Sequence, residues 1–236
     1  MMREREEEHI VGGAKIRSII LGLNDGLIST FTLLVGVAAA TLSSAGNIIV
    51  ILTGIAAMVS GAISMGLGEY ISSKSEFTYI KNEMKKEEAE IILFPEEEKE
   101  EVRMTFKKMG IEGDVLEECV NKITSDKDVW LDFLIGSELG LEEPENPAIG
   151  GILTFISFII GAFIPLFPYF LNLGFISLII SSIVSFSMLG IVGMFKTRVT
   201  GETKLKGAIE MLIIGAIAFV CSYGIGLWLE QFLINV

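Results

Sequence analysis

Histidine is almost absent from this chain, and its absence excludes several kinds of site. The one histidine among 236 residues is His9, in a polar N-terminal stretch. A zinc site with His ligands, a di-iron site with Glu-x-x-His pairs and a Ser-His-Asp triad are therefore excluded. The Gly-rich loop that ends in Lys-Ser or Lys-Thr is also missing, which excludes nucleotide hydrolysis as an energy source. Without a pair of nucleophile and base, we do not expect an enzyme.

Cysteine and basic residues are scarce as well. The two cysteines, Cys119 and Cys221, lie in segments of opposite polarity, so we expect no disulfide between them. The N-terminus is acidic and has no apolar core, which argues against a cleavable signal peptide. Lys and Arg number 18 against 30 Asp and Glu, and the resulting net charge of −12 argues against a nucleic-acid partner. Cations are the natural partners of such a chain.

Apolar and charged residues are strongly segregated along the chain. Hydrophobic residues make up 51% of it, yet 20% of its residues are charged. Residues 72–146 hold 21 of the acidic and 10 of the basic residues, so this segment alone carries a net charge of −11. This distribution indicates a membrane part with one soluble insertion.

Five apolar segments are long enough to span about 30 Å of hydrocarbon, which takes about 20 helical residues each. They lie near 16–41, 47–71, 148–171, 174–195 and 207–230. The predicted fold class is an all-α polytopic membrane protein, with a cytoplasmic, helical metal-binding domain inserted between the second and third transmembrane helices. The predicted domains are an N-terminal tail (1–15), helices 1 and 2 (16–71), the acidic domain (72–146) and helices 3 to 5 (147–236).

The charges that flank these segments predict their orientation. Basic residues precede the first segment and crowd the link at 196–206, whereas the links at 42–47 and 165–174 carry no charge. By the positive-inside rule, the N-terminus, the acidic domain and the 196–206 link are cytoplasmic.

The second spanning helix is predicted to continue far beyond its apolar part. No proline occurs from Asn47 to Phe94, and Pro95 then ends or kinks the helix. Three shorter helices are predicted near 96–109, 112–124 and 127–139. Gly22 and Gly26 have the spacing that permits close helix contact, although glycine is also simply common in membrane helices.

Asp25 is the first candidate functional residue. A carboxylate inside an apolar span costs roughly 2.5–3.5 kcal/mol on insertion scales, which marks it as a functional residue or as one that forms a structural hydrogen bond. One span later, Met65 and Glu69 lie four residues apart and so on one helical face. Fe²⁺ and softer ions accept a thioether ligand and Mg²⁺ and Ca²⁺ do not, although a methionine in a membrane helix is more often packing filler.

The acidic domain offers a second candidate site. Glu87 and Glu90 precede Pro95 at a spacing of three, and Glu98 and Glu101 follow it at the same spacing. If the two helices pack as a hairpin, these pairs form an oxygen cage for a divalent cation, which Glu138 could close. The alternative is that these glutamates belong to solvated helix faces, as is expected of Glu88, Glu96, Glu97 and Glu100.

An ion carrier without nucleotide hydrolysis must use a gradient. Asp25 and Glu69 can exchange a proton for a cation, so the sequence indicates proton coupling.

Four stretches of the chain resemble the vacuolar iron transporter family. They are Asn24-Asp25-Gly26-Leu27-Ile28-Ser29, Met65-Gly66-Leu67-Gly68-Glu69-Tyr70-Ile71-Ser72, Ile164-Pro165-Leu166-Phe167-Pro168-Tyr169 and Ser222-Tyr223-Gly224-Ile225-Gly226. They occur in the family's order, with an acidic insertion between the second and third spans. The resemblance extends from about Gly22 to Gly226.

The resemblance implies a homodimer of five-helix subunits that exports Fe²⁺, and often Mn²⁺, from the cytosol in exchange for protons. It places Asp25, Met65 and Glu69 on the family's intramembrane ligand positions. The family's cytoplasmic metal-binding glutamates match Glu87, Glu90, Glu98, Glu101 and Glu138. One departure is that Leu134 and Ile135 stand where the family has methionines, which makes the cage all-oxygen and less selective for soft ions.

Together these features predict a proton-coupled exporter of divalent metal ions, with no cofactor other than the transported ion. A membrane-anchored metal sensor or store and a plain cation channel are the alternatives that use the same glutamates. The protein would lie in the cell membrane of a prokaryote or in the vacuolar membrane of a eukaryote.

Overall fold

All regular structure in the described residues is helical. The computed structural model describes residues 13–41, 47–137 and 146–234. In these ranges the helices are α1 (Gly13–Thr41), α2 (Asn47–Leu93), α3 (Pro95–Lys108), α4 (Asp114–Thr124), α5 (Lys127–Ser137), α6 (Pro147–Leu166), α7 (Phe175–Thr200) and α8 (Lys204–Ile234). A short 3₁₀-helix, Phe167–Leu171, follows α6.

Five of these helices are long and apolar enough to cross a membrane, which confirms the five predicted spans. They are α1, α2, α6 with its 3₁₀ extension, α7 and α8. The predicted continuation of the second helix is also confirmed, because α2 has 47 residues and ends at Leu93, two residues before Pro95. Pro95 then begins α3, where its missing N–H is not needed.

The chain forms two compact units. Unit 1 comprises Met1–Tyr70 and Ala148–Val236, and unit 2 comprises Ile71–Pro147. Helix α2 contributes its apolar part to unit 1 and its charged part to unit 2.

Unit 1 is held together by an apolar core and by a close crossing of α1 and α6. Phe31 and Leu34 are fully buried in this core with Leu166 and Tyr169. At the crossing, a Cβ atom added to Gly26 would overlap the Phe158 carbonyl oxygen. Only glycine permits such backbone contact. The prediction of close helix contact at this glycine is therefore confirmed, and the helix that it contacts is α6 of the same chain.

Unit 2 is a small helical domain with its own core. Ile91 of α2 and Val102 of α3 meet there with Leu116, Trp130 and Leu134 from the two following helices. The end of α2 and α3 therefore pack together around Pro95, as the hairpin hypothesis requires. Asp126 caps the N-terminus of α5, since its Oδ1 accepts hydrogen bonds from the backbone N–H groups of the first turn.

Candidate metal path and glutamate pairs

A cavity of about 480 Å³ lies between α1, α2 and α6 of unit 1. Its wall combines one carboxylate, one thioether and several hydroxyl groups. The lining residues are Asp25, Ser29, Thr30, Leu33, Ala57, Ser60, Gly61, Ser64, Met65 and Phe158. Because a water molecule takes roughly 30 Å³, this cavity has room for a hydrated cation.

Asp25 lies near the middle of α1 and reaches this cavity half-buried. Within the described part of the chain, its carboxylate receives no hydrogen bond and no ion pair. Ser29, one turn later, donates its hydroxyl proton to the backbone carbonyl of Asp25 and not to the carboxylate. The structural hydrogen bond considered as an alternative role for Asp25 is therefore not found among the described residues.

Met65 lines the same cavity from α2. It also packs against a buried cluster of Ala62, Phe158 and Ala162, together with Met58. The thioether is thus part of the packing and part of the cavity wall at once.

Glu69 does not line this cavity, although it lies on the same helical face as Met65. The Ser18 hydroxyl of α1 donates a 2.9 Å hydrogen bond to Glu69 Oε1. Ser18 is 2% exposed, and its backbone carbonyl accepts a 3.3 Å hydrogen bond from Thr154 of α6. Glu69 is therefore held between α1 and α6 by a contact that spans 51 residues of sequence.

Glu210 takes no part in the cavity. It is exposed and forms an ion pair with Lys196, with 3.1 Å between Nζ and Oε2. Such a pair near the start of a spanning helix is typical of side chains that lie at the membrane interface.

The glutamates of unit 2 fall into two classes. Glu87 of α2 and Glu98 of α3 are each only 5% exposed, which is unusual for a carboxylate. The four glutamates that were expected on solvated faces are exposed, and three of them bind basic residues. These pairs are Glu88 with Lys127, Glu96 with Lys99 and Glu100 with Arg103.

Burial raises the pKa of Glu87 above its ordinary value of 4.5. Repulsion from Glu90 raises this pKa further, attraction to Lys86 opposes the shift, and repulsion from Glu101 and Glu83 adds to it. Glu87 therefore interacts with charges from both sides of Pro95. A divalent cation here would relieve both the burial cost and the repulsion.

The described residues do not by themselves form a complete metal cage. Among them, no three Asp, Glu, His or Cys side chains lie close enough together to hold a metal ion. Glu138, which was predicted to close the cage, lies outside the described residues. Leu134 and Ile135 are buried, and Leu134 belongs to the core of unit 2.

The hydroxyl groups of the cavity were not predicted as site residues from the sequence. Ser60 and Ser64 lie four residues apart on α2, and Thr30 follows the Asn24-Asp25-Gly26 stretch by four residues. The same four-residue spacing that drew attention to Met65 and Glu69 was therefore available, but serine and threonine are too common in membrane helices to be singled out.

Comparisons with known proteins identify the family. The model of the VIT family matches residues 16–227. The chain is 38% identical over 226 residues to "Vacuolar iron transporter 1" of Arabidopsis thaliana, with 94% of this chain and 89% of that protein covered. It is 37% identical over 221 residues to the protein of the same name from Oryza sativa subsp. japonica, with 92% and 86% covered.

A more distant relative gives the same result. The chain is 31% identical over 239 residues to "Vacuolar iron transporter" of Plasmodium berghei, with 95% of this chain and 85% of that protein covered. These relatives are transporters by name, which agrees with the expectation that the chain is not an enzyme. The five spanning helices and the matches over most of the chain lead to one conclusion: this integral membrane protein belongs to the VIT family.

Proposed function

We propose that this protein is a proton-coupled transporter that moves divalent metal ions, Fe²⁺ first and Mn²⁺ second, out of the cytosol. The observation that carries the proposal is the cavity in unit 1, where Asp25 and Met65 line one space among spanning helices. The names of the relatives describe iron transport in those proteins and support iron as the ion here.

The donor set of the cavity suits a transition-metal ion. A carboxylate binds any divalent cation, whereas a thioether adds affinity only for ions of some softness. Fe²⁺ accepts both kinds of ligand. No basic residue of the described chain pairs with the Asp25 carboxylate, so this group is available to a cation.

Proton coupling follows from the ligands. Because a carboxylate must lose its proton to bind a metal ion, protons that arrive on the releasing side compete with the metal for Asp25 and Glu69. Glu69, held by Ser18, would receive the ion at the membrane mouth and pass it on to Asp25. Metal affinity then falls with acidity on the releasing side.

Unit 2 would gather ions from the cytosol. Its buried Glu87 and Glu98 and its neighbouring Glu90 and Glu101 bring negative charge from two helices together. Glu138 is proposed to complete this site. The charges flanking the spans support a cytoplasmic location for the N-terminus and for this unit.

A homodimer is proposed because the cavity has a polar, open side. Ser29, Ser60 and Ser64 line it and are exposed in the single chain. Hydroxyl groups and a carboxylate in contact with lipid tails are costly, and a second copy of the chain would cover them. The metal path would then run between α1 and α2 of both subunits, across the vacuolar membrane of a eukaryote or the cell membrane of a prokaryote.

The central test is Asp25→Ala in the full-length protein reconstituted into liposomes. We expect Fe²⁺ flux driven by a pH gradient to fall by on the order of a hundredfold or more, because the cavity loses its one carboxylate. Glu210→Gln is the matched control, since Glu210 lies on a spanning helix outside the cavity and should leave the flux unchanged. Undiminished flux in a folded Asp25→Ala protein would exclude this path.

The same assay separates the two alternatives. A metal sensor or store would bind Fe²⁺ without flux, and a channel would conduct without a pH gradient. A competition series with Mn²⁺, Co²⁺ and Zn²⁺ would give the order of preference.

A further inference from the structure

One threonine of the metal path is buried with an unsatisfied hydroxyl group. Thr30 is 1% exposed, and its Oγ1 has no hydrogen-bond partner in the described chain. A buried polar group without a partner costs about 1–3 kcal/mol. Thr30 also lines the cavity that contains Asp25. If the side chain rotated so that its hydroxyl reached a ligand in that cavity, the cost would be removed.

This threonine differs from several other hydroxyl residues of the spanning helices. In a membrane helix, serine and threonine usually donate to the backbone carbonyl one turn earlier. Thr32 does so to Ile28 at 3.0 Å, and Thr53 does so to Ile49 at 2.8 Å. Thr30 has no such bond.

Ser60 and Ser64, which are exposed in the single chain, also lack a bond to the carbonyl one turn earlier. They lie one turn apart on α2, line the same cavity, and make no side-chain hydrogen bond within the described residues. Three hydroxyl groups from two helices therefore lie around one cavity without a hydrogen bond to the described residues. On α7, outside the cavity, Ser182 and Ser187 donate to the carbonyl one turn back, each at 2.8 Å, whereas Ser185 is buried without a partner.

The coordination needs of a metal ion explain this arrangement. An ion such as Mn²⁺ prefers six oxygen ligands. Asp25 can supply at most two oxygens and Met65 supplies one sulfur, so at least three positions remain. Hydroxyl oxygens, and water molecules that they hold, are hard ligands of the kind that fill such positions.

We propose that Thr30, Ser60 and Ser64 form a hydroxyl subsite that holds a partly hydrated divalent cation next to Asp25, and that this subsite favours hard ions while Met65 favours soft ones. The proposal deepens the proposed function and rests on it for the identity of the cavity as a metal path. It makes ion selectivity a balance between two sides of one cavity.

The test compares Mn²⁺, a hard ion, with Cd²⁺, a soft one, in the full-length protein. In the triple variant Thr30→Val, Ser60→Ala and Ser64→Ala, we expect the apparent affinity for Mn²⁺ to fall by on the order of tenfold, as when supporting ligands of a metal are removed. The affinity for Cd²⁺ should change by less than about threefold, because its thioether ligand remains. Met65→Leu should show the reverse pattern.

Two further variants serve as controls. Thr53→Val removes a hydroxyl from the same helix as Ser60, but one that is bonded to a backbone carbonyl, and should change neither affinity. Thr30→Ser keeps the hydroxyl and should retain more of the Mn²⁺ affinity than Thr30→Val, which alone should show part of the Mn²⁺ loss. If the triple variant does not fold, this pair of single variants carries the comparison.

Binding is also measured without transport, as the rise in thermal unfolding temperature that each ion produces in detergent. In the triple variant, a smaller rise with Mn²⁺ and an unchanged rise with Cd²⁺ would support the subsite. This conclusion holds even if the wild type shows no flux, because a lack of flux excludes only the proposed transport function. Equal losses for the two ions would overturn the subsite. A Thr30→Val protein that is more stable than the wild type and binds Mn²⁺ as well would overturn it too.

Discussion

The two units of this protein collect acidic side chains in opposite ways. In unit 1 a single carboxylate, Asp25, lies in a cavity with a thioether and hydroxyl groups. In unit 2 the carboxylates are many, and two of them, Glu87 and Glu98, are buried in the pairs on either side of Pro95. Unit 1 thus has little charge and several kinds of donor atom, whereas unit 2 has many negative charges and one kind of donor, the carboxylate oxygen.

The solvent of each region explains the difference. Each additional carboxylate in a membrane span costs several kcal/mol, so uncharged oxygen and sulfur are less costly ligands there. Outside the membrane, water and basic neighbours such as Lys86 and Lys127 screen the charges that a cation does not neutralise. Under the proposed function, the many carboxylates of unit 2 would favour the capture of ions, and the varied ligands of unit 1 would favour the selection among them.

The largest effect is expected when the two glutamate pairs of unit 2 are neutralised. With Glu87, Glu90, Glu98 and Glu101 all changed to Gln, we expect the apparent affinity for Fe²⁺ to fall by on the order of tenfold or more while the maximal flux stays near the wild-type value. The reason is that capture is impaired and the cavity is intact. Initial rates of liposome uptake over a range of Fe²⁺ concentrations provide the measurement.

The matched control for this quadruple variant removes the same number of charges from the exposed faces. It changes Glu88, Glu96, Glu97 and Glu100 to Gln. If both quadruple variants lose the same affinity, net charge alone attracts the ions and the paired arrangement is irrelevant. A loss of maximal flux in the first variant would mean that unit 2 is part of the path itself.

A second test addresses the packing that shapes the cavity in unit 1. A Cβ atom at position 161 would overlap the Leu23 carbonyl oxygen, so Gly161→Ala should separate α1 from α6. We expect a loss of about 1–3 kcal/mol in stability, with reduced flux. Thermal unfolding in detergent and the liposome assay measure the two effects.

Gly68→Ala is the control for that substitution. Apart from its own helix, no atom of the described residues lies within 4 Å of the Cβ that it adds, so neither stability nor flux should fall. A Gly161→Ala protein as stable as the wild type would show that the crossing relaxes without cost.

The smallest expected effect is the pH dependence of unit 2 that Glu87 causes. Its folded-state pKa lies above its ordinary value of 4.5, so the folded state binds the proton more tightly than the unfolded state. The stability contributed by the protonated form is present below pH 4.5 and is lost as pH rises through the folded-state pKa. Glu87→Gln should therefore stabilise unit 2 more at pH 8 than at pH 4, at low divalent-ion concentration.

The reporter for this measurement is Trp130, which is 5% exposed in the core of unit 2. Its fluorescence is followed during denaturation in a Trp228→Phe background, and the difference between the Glu87→Gln variant and its parent removes the contributions of other carboxylates. Among these are Glu88 and Glu117, whose pKa values the nearby Lys127 and Arg103 lower. A difference between the two proteins that does not change with pH would contradict the prediction.

Most of the helical architecture could be predicted from local properties of the sequence. Long apolar runs define the spans, and the absence of proline from Asn47 to Phe94 allows α2 to continue until Pro95. The predicted short helices near 96–109, 112–124 and 127–139 differ from α3, α4 and α5 by at most two residues at either end. These features depend on residues a few positions apart, which a sequence displays directly.

The candidate site could be predicted only in part. Spacing places Met65 and Glu69 on one face of α2, yet Met65 lines the cavity and Glu69 is held by Ser18. That hydrogen bond joins residues 51 positions apart, and no local pattern encodes it. The burial of Thr30 likewise depends on how distant segments of the chain pack together. The sequence predicts that Gly22 and Gly26 lie close to another helix, but it does not show that this helix is α6.

The position of Phe158 restricts how this protein can evolve. Its backbone touches Gly26, the far end of its ring lies where a Cβ atom of residue 61 would be, and it lines the cavity beside Asp25. A larger residue at position 61 therefore requires the Phe158 ring to move or to be replaced by a smaller side chain. Either change alters the volume of the cavity, so the effects of substitutions at the two positions are coupled.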